Sequence, residues 1–249
     1  MMKTNCKIVS CWFGDRKEFP GNEENAIKVI QDLVTNEQTL NPGVKNLDTI
    51  LVNHDCGKKI GNSFLDSLNG KETYAGTIKV IHRPWDNGIG ASFGSFNYAW
   101  ELYNYEYDYW FFQEDDYKLI YENYYSEGIK ILEQQPHIGF VGYDRGSEID
   151  NKYGLKVFFQ HFLTKILPDT SPKIIKKYID DIKFAKDKIV KVLDSLEDGN
   201  DLCHGGMGLT TREVLSKVHK KNNSLPYNKN PNPGIENGIT EYEVWWWLT

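Results

Sequence analysis

Tyr109-Trp110-Phe111-Phe112-Gln113-Glu114-Asp115-Asp116 is an apolar, aromatic run that ends in three consecutive carboxylates. The apolar part reads as a strand, and the acidic part as the place where that strand stops. Carboxylates crowded at one strand end repel one another unless a cation lies among them, and hard oxygen ligands in a row suit Mg²⁺ or Mn²⁺. The residue types therefore suggest a site where a metal holds phosphates. The plainer alternative is a solvated acidic turn that closes a buried strand.

On the amino-terminal side of this run, apolar strand-like segments alternate with helical ones. Lys7-Ile8-Val9-Ser10-Cys11-Trp12-Phe13 reads as the first strand, and Ala26, Ile30 and Leu33 mark the helix after it. Asp48-Thr49-Ile50-Leu51-Val52-Asn53 is a second strand, stopped by His54-Asp55-Cys56-Gly57, and Thr77-Ile78-Lys79-Val80-Ile81 is a third. This alternation predicts an α/β fold with a mainly parallel twisted sheet flanked by helices, Rossmann-like in plan. Open sheets of this kind bind ligands beyond the carboxyl ends of their strands, so Asp55, Arg83 and Glu114 to Asp116 are expected along one crevice.

Arg83-Pro84-Trp85-Asp86-Asn87-Gly88-Ile89-Gly90-Ala91-Ser92-Phe93-Gly94 follows the third strand. Gly88, Gly90 and Gly94 loosely imitate a dinucleotide fingerprint, but they follow the third strand instead of the first, and the last spacing is one residue too long. Phe93, Phe96, Trp100 and Tyr103, at steps of three, four and three, form a stripe that faces a core, not a cofactor box.

A chain of 249 residues has room for a full core, and one domain over 1–249 is the expectation. Its 40% hydrophobic and 26% charged residues are those of a soluble globular protein, and a net charge of -6 argues against a nucleic-acid partner. Cys6, Cys11, Cys56 and Cys203 contain no Cys-x-x-Cys pair, so buried reduced thiols are expected, which fits a reducing compartment. The first strand begins within a few residues of Met1, and no apolar run approaches membrane-spanning length. The expected location is cytoplasmic, with peripheral membrane association left open.

A strand ending at Arg83, a helix start bearing Gly and Asn, and a hydrophobic strand running into an acidic triplet together resemble the donor-binding half of GT-A fold glycosyltransferases, the family 2-like or galactosyltransferase-like members. In that family the triplet is an Asp-x-Asp motif that holds Mn²⁺ or Mg²⁺ on the diphosphate of a nucleotide sugar. The resemblance assigns Glu114 and Asp116 to the metal, with Glu114 standing where the family commonly has Asp. It assigns Asp115 to the donor, Asp55 to the nucleoside, and Arg83 to the nucleotide. Cys203-His204-Gly205-Gly206-Met207-Gly208-Leu209-Thr210-Thr211-Arg212 resembles the Gly-Gly segment beneath the donor sugar, followed by a helix starting at Thr or Arg. Gly205 and Gly206 are then donor contacts and His204 an acceptor contact; taken alone, the glycines also read as a turn before a helix. Glu236-Asn237-Gly238-Ile239-Thr240-Glu241-Tyr242-Glu243-Val244-Trp245-Trp246 resembles the block that carries the catalytic base of inverting members. Glu241 takes the base position, with Glu243 as its rival because Tyr242 replaces the family's Asp. The plainer reading is an exposed acidic helix start. No His follows His219, so a metal would lean on Asp116, diphosphate oxygens and water.

The resemblance covers about 7–120 and 202–247. It implies a metal-dependent transferase that moves a hexose, with UDP-hexose favoured, to a hydroxyl of a glycan or glycolipid acceptor with inversion. About 1–120 would bind the nucleotide sugar and about 121–249 the acceptor. Trp245 and Trp246 suit stacking on a sugar face, against the simpler reading of core packing. Ile175, Ile179, Ile182, Ile189, Leu193 and Leu196 predict an amphipathic helix over 172–197 with lysines on its other faces, a lid or flank, a homodimer contact, or a contact with an anionic membrane. Residues 222–234, rich in Asn and Pro, read as a loop. Two other functions fit less closely: a sugar-nucleotide pyrophosphorylase, for which Trp12-Phe13-Gly14-Asp15-Arg16-Lys17 carries only one Gly, and a non-catalytic sugar- or metal-binding module.

Overall fold

All seven residues of β1, Asn5–Cys11, are buried, and a strand covered on both faces belongs inside a sheet. The structure is a computed structural model that describes residues 4–13, 23–54, 59–84, 91–135, 139–143, 207–225 and 227. In it β1 pairs in parallel with β2 (Leu47–Asn53) on one side and β4 (Tyr109–Glu114) on the other. β3 (Ile78–His82) extends the parallel set beyond β2. β6 (Gly208–Thr211) runs antiparallel to β4, and β5 (Phe140–Gly142) antiparallel to β6, giving the order β3-β2-β1-β4-β6-β5. The expected α/β architecture, a mainly parallel sheet flanked by helices, is the one observed.

Strand alternation sorts the side chains onto two faces. Cys6, Ile8, Ile50, Val52, Trp110 and Phe112 share one core with α3 (Ala91–Tyr103) and α5 (Arg212–Asn222). Val9, Cys11, Leu51 and Ile78 face α1 (Glu23–Thr39) and α2 (Lys59–Asp66), while Tyr109, Phe111 and Leu209 face α4 (Tyr124–Gln134). The aromatic stripe on α3 packs as the spacing predicts: Phe96 and Trp100 are buried, and Phe93 and Tyr103 flank them. On α1 the stripe of Ala26, Ile30 and Leu33 is buried, extended by Val34 and by Glu37. Thr211 caps α5, its hydroxyl accepting the Val214 amide at 3.3 Å.

The strand limits move by one or two residues for local reasons. β1 begins at Asn5 because the Thr4 hydroxyl and amide are tied to Glu106 and Asp108. It stops at Cys11 because the Trp12 amide turns to a side-chain carboxylate instead of a ladder partner. β3 begins at Ile78 because Thr77 is taken by an isolated bridge to Glu72. Cys6 and Cys11 are buried thiols, as expected; Cys56 and Cys203 lie outside the described residues. So does the helix expected over 172–197. At the start of the loop expected over 222–234, Leu225 is buried and donates its amide to Asn97 Oδ1 of α3 at 2.7 Å. No helix among the described residues is long and apolar enough to cross a membrane.

Candidate functional site

Because β3, β2, β1 and β4 are parallel and adjacent, their carboxyl ends form one edge. The ladder continues one residue past the strands: the His54 amide donates to Cys11 O at 2.8 Å and the Arg83 amide to Asn53 O at 3.0 Å. Period-two alternation then sends Arg83, His54 and Glu114 to the α3 side, the side already held by Val52, Phe112 and Trp110.

α3 starts at this edge and meets Glu114 and His54 directly, and Arg83 through the His54 ring. Ser92 Oγ donates to Glu114 Oε1 at 2.5 Å. Ser95 Oγ lies 3.2 Å from His54 Nδ1, and Arg83 Nη1 lies 3.2 Å from the same nitrogen. A guanidinium can only donate, so His54 Nδ1 accepts and the ring proton is on Nε2. Ser95, His54 and Arg83 are all buried. The indole of Trp12, 40% exposed, stands edge-on to the His54 ring with centroids 6.1 Å apart, so an apolar wall borders this polar group.

The acidic triplet is divided. Glu114 is half-buried on the α3 side. Asp115 is buried, and its Oδ2 accepts the Trp12 amide at 2.9 Å, so it closes the end of β1. Asp116 is exposed on a turn in which the Tyr117 amide donates to Glu114 O at 3.3 Å. Gln113 Nε2 donates to Tyr117 O at 2.7 Å and Asn36 Nδ2 to Leu119 O at 2.9 Å, fixing the chain that leaves the turn. Asp115 thus ties the ends of β1 and β4 together, and Glu114 and Asp116 are the two carboxylates of the triplet that remain at the strand end.

Among the described residues no group of three His, Cys, Asp or Glu side chains could hold a metal ion by itself. Mg²⁺ commonly takes one or two carboxylates and completes its shell with substrate phosphates and water. Two carboxylates at this strand end, Glu114 and Asp116, are too few to cage a cation by themselves, and in number they match one shared with substrate phosphates.

Asp55, His204, Gly205, Gly206, Glu241, Glu243, Trp245 and Trp246 lie outside the described residues. The strand after Gly206 is described, and because β6 is antiparallel its first residue, Gly208, stands opposite Phe112, two residues before Glu114. A side chain at Gly208 would meet the Phe140 ring at 2.1 Å and Val141 O at 2.4 Å, so glycine here admits β5. Sequence reasoning missed His54, Ser92 and Ser95 as members of the edge. The signal was present: a His directly after a strand, and two serines three apart at the start of a helix.

No protein-family model matches the chain, and no curated protein matches it. Among solved structures the chain is similar to CMP:2-keto-3-deoxy-manno-octonic acid synthetase complexed with CTP, at 8% identity and a TM-score of 0.35, over 55% of this chain and 51% of that one. The match spans about half the length of that protein, and a likeness so slight carries no argument.

Proposed function

We propose that the chain is a glycosyltransferase that moves a hexose from a nucleoside diphosphate sugar, UDP-hexose first among them, to a hydroxyl of a glycan or glycolipid acceptor. The observation that supports this best is that opposite charges stand along one strand-end edge: Arg83 after β3, Glu114 at the last position of β4 and Asp116 in the turn beyond it. A diphosphate suits such an edge, since its oxygens take charged hydrogen bonds from a guanidinium and share a divalent cation with carboxylates. When bound there, Mn²⁺ or Mg²⁺ supplies neutralisation of the charge that develops on the diphosphate leaving group.

In this reading Asp55, next to His54, contacts the nucleoside, Gly205 and Gly206 lie under the donor sugar, and His204, Trp245 and Trp246 meet the acceptor. Glu241, with Glu243 as its rival, takes the acceptor proton. The acceptor oxygen bonds to the anomeric carbon as the carbon–phosphate-oxygen bond breaks on the opposite face, and the nucleoside diphosphate departs. Inversion follows from that single displacement. One domain over 1–249 carries both halves of the site.

The test is release of nucleoside diphosphate from a panel of nucleotide sugars, with Mn²⁺, with Mg²⁺ and with chelator. The expected result is cation-dependent release from at least one donor and, with an acceptor present, a product of inverted anomeric configuration. Release from no donor, or retention of configuration, overturns the proposal. Pyrophosphate release from a nucleoside triphosphate and a sugar phosphate would make the chain a pyrophosphorylase instead. Glu241→Gln should lower transfer by about a hundredfold with donor affinity unchanged, the scale of general-base loss; if Glu243→Gln alone does so, the base is two residues further on.

A further inference from the structure

Two serines on α3 hold two different groups of the edge, Ser92 the Glu114 carboxylate and Ser95 the His54 ring that meets Arg83. Ser92 Oγ donates to Glu114 Oε1 at 2.5 Å, and Ser95 reaches His54 Nδ1, the same atom that accepts from Arg83 Nη1. Residues three apart share a helix face, so one side of α3 addresses the carboxylate at the end of β4 and, one turn on, the His54 ring after β2, whose Nδ1 also meets the Arg83 guanidinium. The helix itself is anchored: Phe96 and Ala99 are buried, Trp100 packs tilted against Trp110 with ring centroids 5.0 Å apart, and the Phe96 and Phe112 ring centroids are 4.9 Å apart.

This arrangement does what a preformed binding site requires. A glutamate or arginine that orders itself only when ligand arrives loses rotamer freedom at that moment and binds more weakly for it. The Ser92 hydroxyl engages one carboxylate oxygen without removing the charge. The single Nδ1 lone pair of His54 is shared by one guanidinium N–H and the Ser95 hydroxyl, a three-centre contact that ties the ring and the fork to the same point on α3.

We propose, resting on the reading of the site given above, that Ser92 is the positioning residue for the cation-holding carboxylate Glu114, and that Ser95 and His54 together are the positioning residues for Arg83 toward phosphate oxygens. The two halves act on different parts of a nucleoside diphosphate, which makes them separable by experiment. Mn²⁺ binding at saturating UDP is measured by titration, and UDP binding is measured separately in chelator, for the wild type, Ser92→Ala, Ser95→Ala and Ser92→Thr. Ser92→Ala should raise the Mn²⁺ dissociation constant about tenfold, the low end for losing the hydrogen-bond partner behind a metal ligand, and leave metal-free UDP binding unchanged. Ser95→Ala should weaken metal-free UDP binding about fivefold, the scale of one lost hydrogen bond, and leave Mn²⁺ binding at saturating UDP unchanged. Ser92→Thr, which keeps the hydroxyl, should restore Mn²⁺ binding, an outcome that a packing role alone would not give. If both alanine variants weaken both measurements equally, or neither measurement moves while the wild type binds, the positioning roles are wrong and the proposed function survives. If the wild type binds UDP neither with nor without Mn²⁺, the positioning roles fail, and the proposed function stands or falls with the donor panel.

Discussion

Glu37 and Glu114 each hold a donor at 2.5 Å, yet they lie in opposite settings. Glu37 reaches from α1 to Lys7 in the middle of β1, and Lys7 is wholly buried, its ammonium 5.5 Å from the Phe111 ring centre and 5.1 Å from that of Tyr124. The other oxygen of Glu37 accepts from Thr49 Oγ1 at 3.3 Å. Glu114 stands where a strand ends, half-buried, with a neutral hydroxyl as partner. A full charge deep in a sheet is tolerated only with an opposite charge locked against it, whereas a half-buried carboxylate at a strand end does not depend on an ammonium locked against it. The first pair serves the fold, and the second serves a ligand on the reading proposed above.

The largest expected effect tests the first half of that contrast. Glu37→Leu strands the Lys7 ammonium, whose burial already pushes it below the ordinary lysine value against the opposing pull of Glu37. Breaking a buried pair from one side costs about 3–5 kcal/mol, while replacing both partners by apolar residues is often neutral. Urea unfolding of Glu37→Leu should show that loss, and Lys7→Met combined with Glu37→Leu should recover most of it. Glu114→Gln should stay within about 1 kcal/mol of wild type, because its side chain still accepts from Ser92. If Glu37→Leu proved as mild as Glu114→Gln, the distinction between the two settings would not hold.

A smaller effect sharpens the second half, within the acidic triplet. Asp115→Ala removes a charged acceptor from the buried end of β1 and should cost about 1.5–3 kcal/mol in unfolding. Asp116→Asn, on an exposed turn, should leave unfolding within about 0.5 kcal/mol and abolish the Mn²⁺ dependence of UDP binding. Thermal unfolding and Mn²⁺ titration of the same two proteins give both readouts. The contrast breaks if Asp116→Asn destabilises the fold, or if Asp115→Ala leaves it untouched.

The strands and α3 were legible in the sequence because their signals are local. Tyr109 to Phe112 are apolar in succession, and Phe93, Phe96, Trp100 and Tyr103 keep helical spacing, so neither needed a distant partner to be recognised. The division of the triplet was not legible. Asp115 closes β1 only because Ser10 stands opposite Glu114 in register, which carries the Trp12 amide to a carboxylate 103 residues away in sequence. The partner of Lys7 was hidden for the same reason, since a lysine in an apolar run shows nothing of a glutamate 30 residues later on the covering helix. Arg83 was expected at a strand end and His54 was passed over beside Asp55, and their shared contact depends on β3 lying beside β2. Pairing across the sheet creates such contacts, and a single sequence does not display pairing.

Asp48 supplies the smallest expected effect and a control from the opposite, amino edge of the sheet. Its Oδ2 accepts from Tyr107 at 2.8 Å and lies 3.0 Å from Lys79 Nζ, and its Oδ1 accepts from Thr77 at 3.3 Å. Desolvation pushes this carboxyl up, but the hydrogen bonds from Lys79, Tyr107 and Thr77 and the charge of Lys79 outweigh it, and the net shift is downward. A carboxyl whose folded value is depressed stabilises the protein above its unfolded value of about 3.9, and that contribution is lost as pH falls through the folded value. The group is partly exposed, so the contribution at pH 7 should be below about 1 kcal/mol. Asp48→Asn should therefore lower the urea midpoint slightly at pH 7, and the gap from wild type should close as pH drops below about 4. UDP binding at pH 7 should match wild type, since Asp48 lies at the far end of β2 from His54. A loss of UDP affinity in Asp48→Asn would mean that polar clusters at the two edges are coupled through the sheet, and the separation of fold-serving from ligand-serving carboxylates would have to be abandoned.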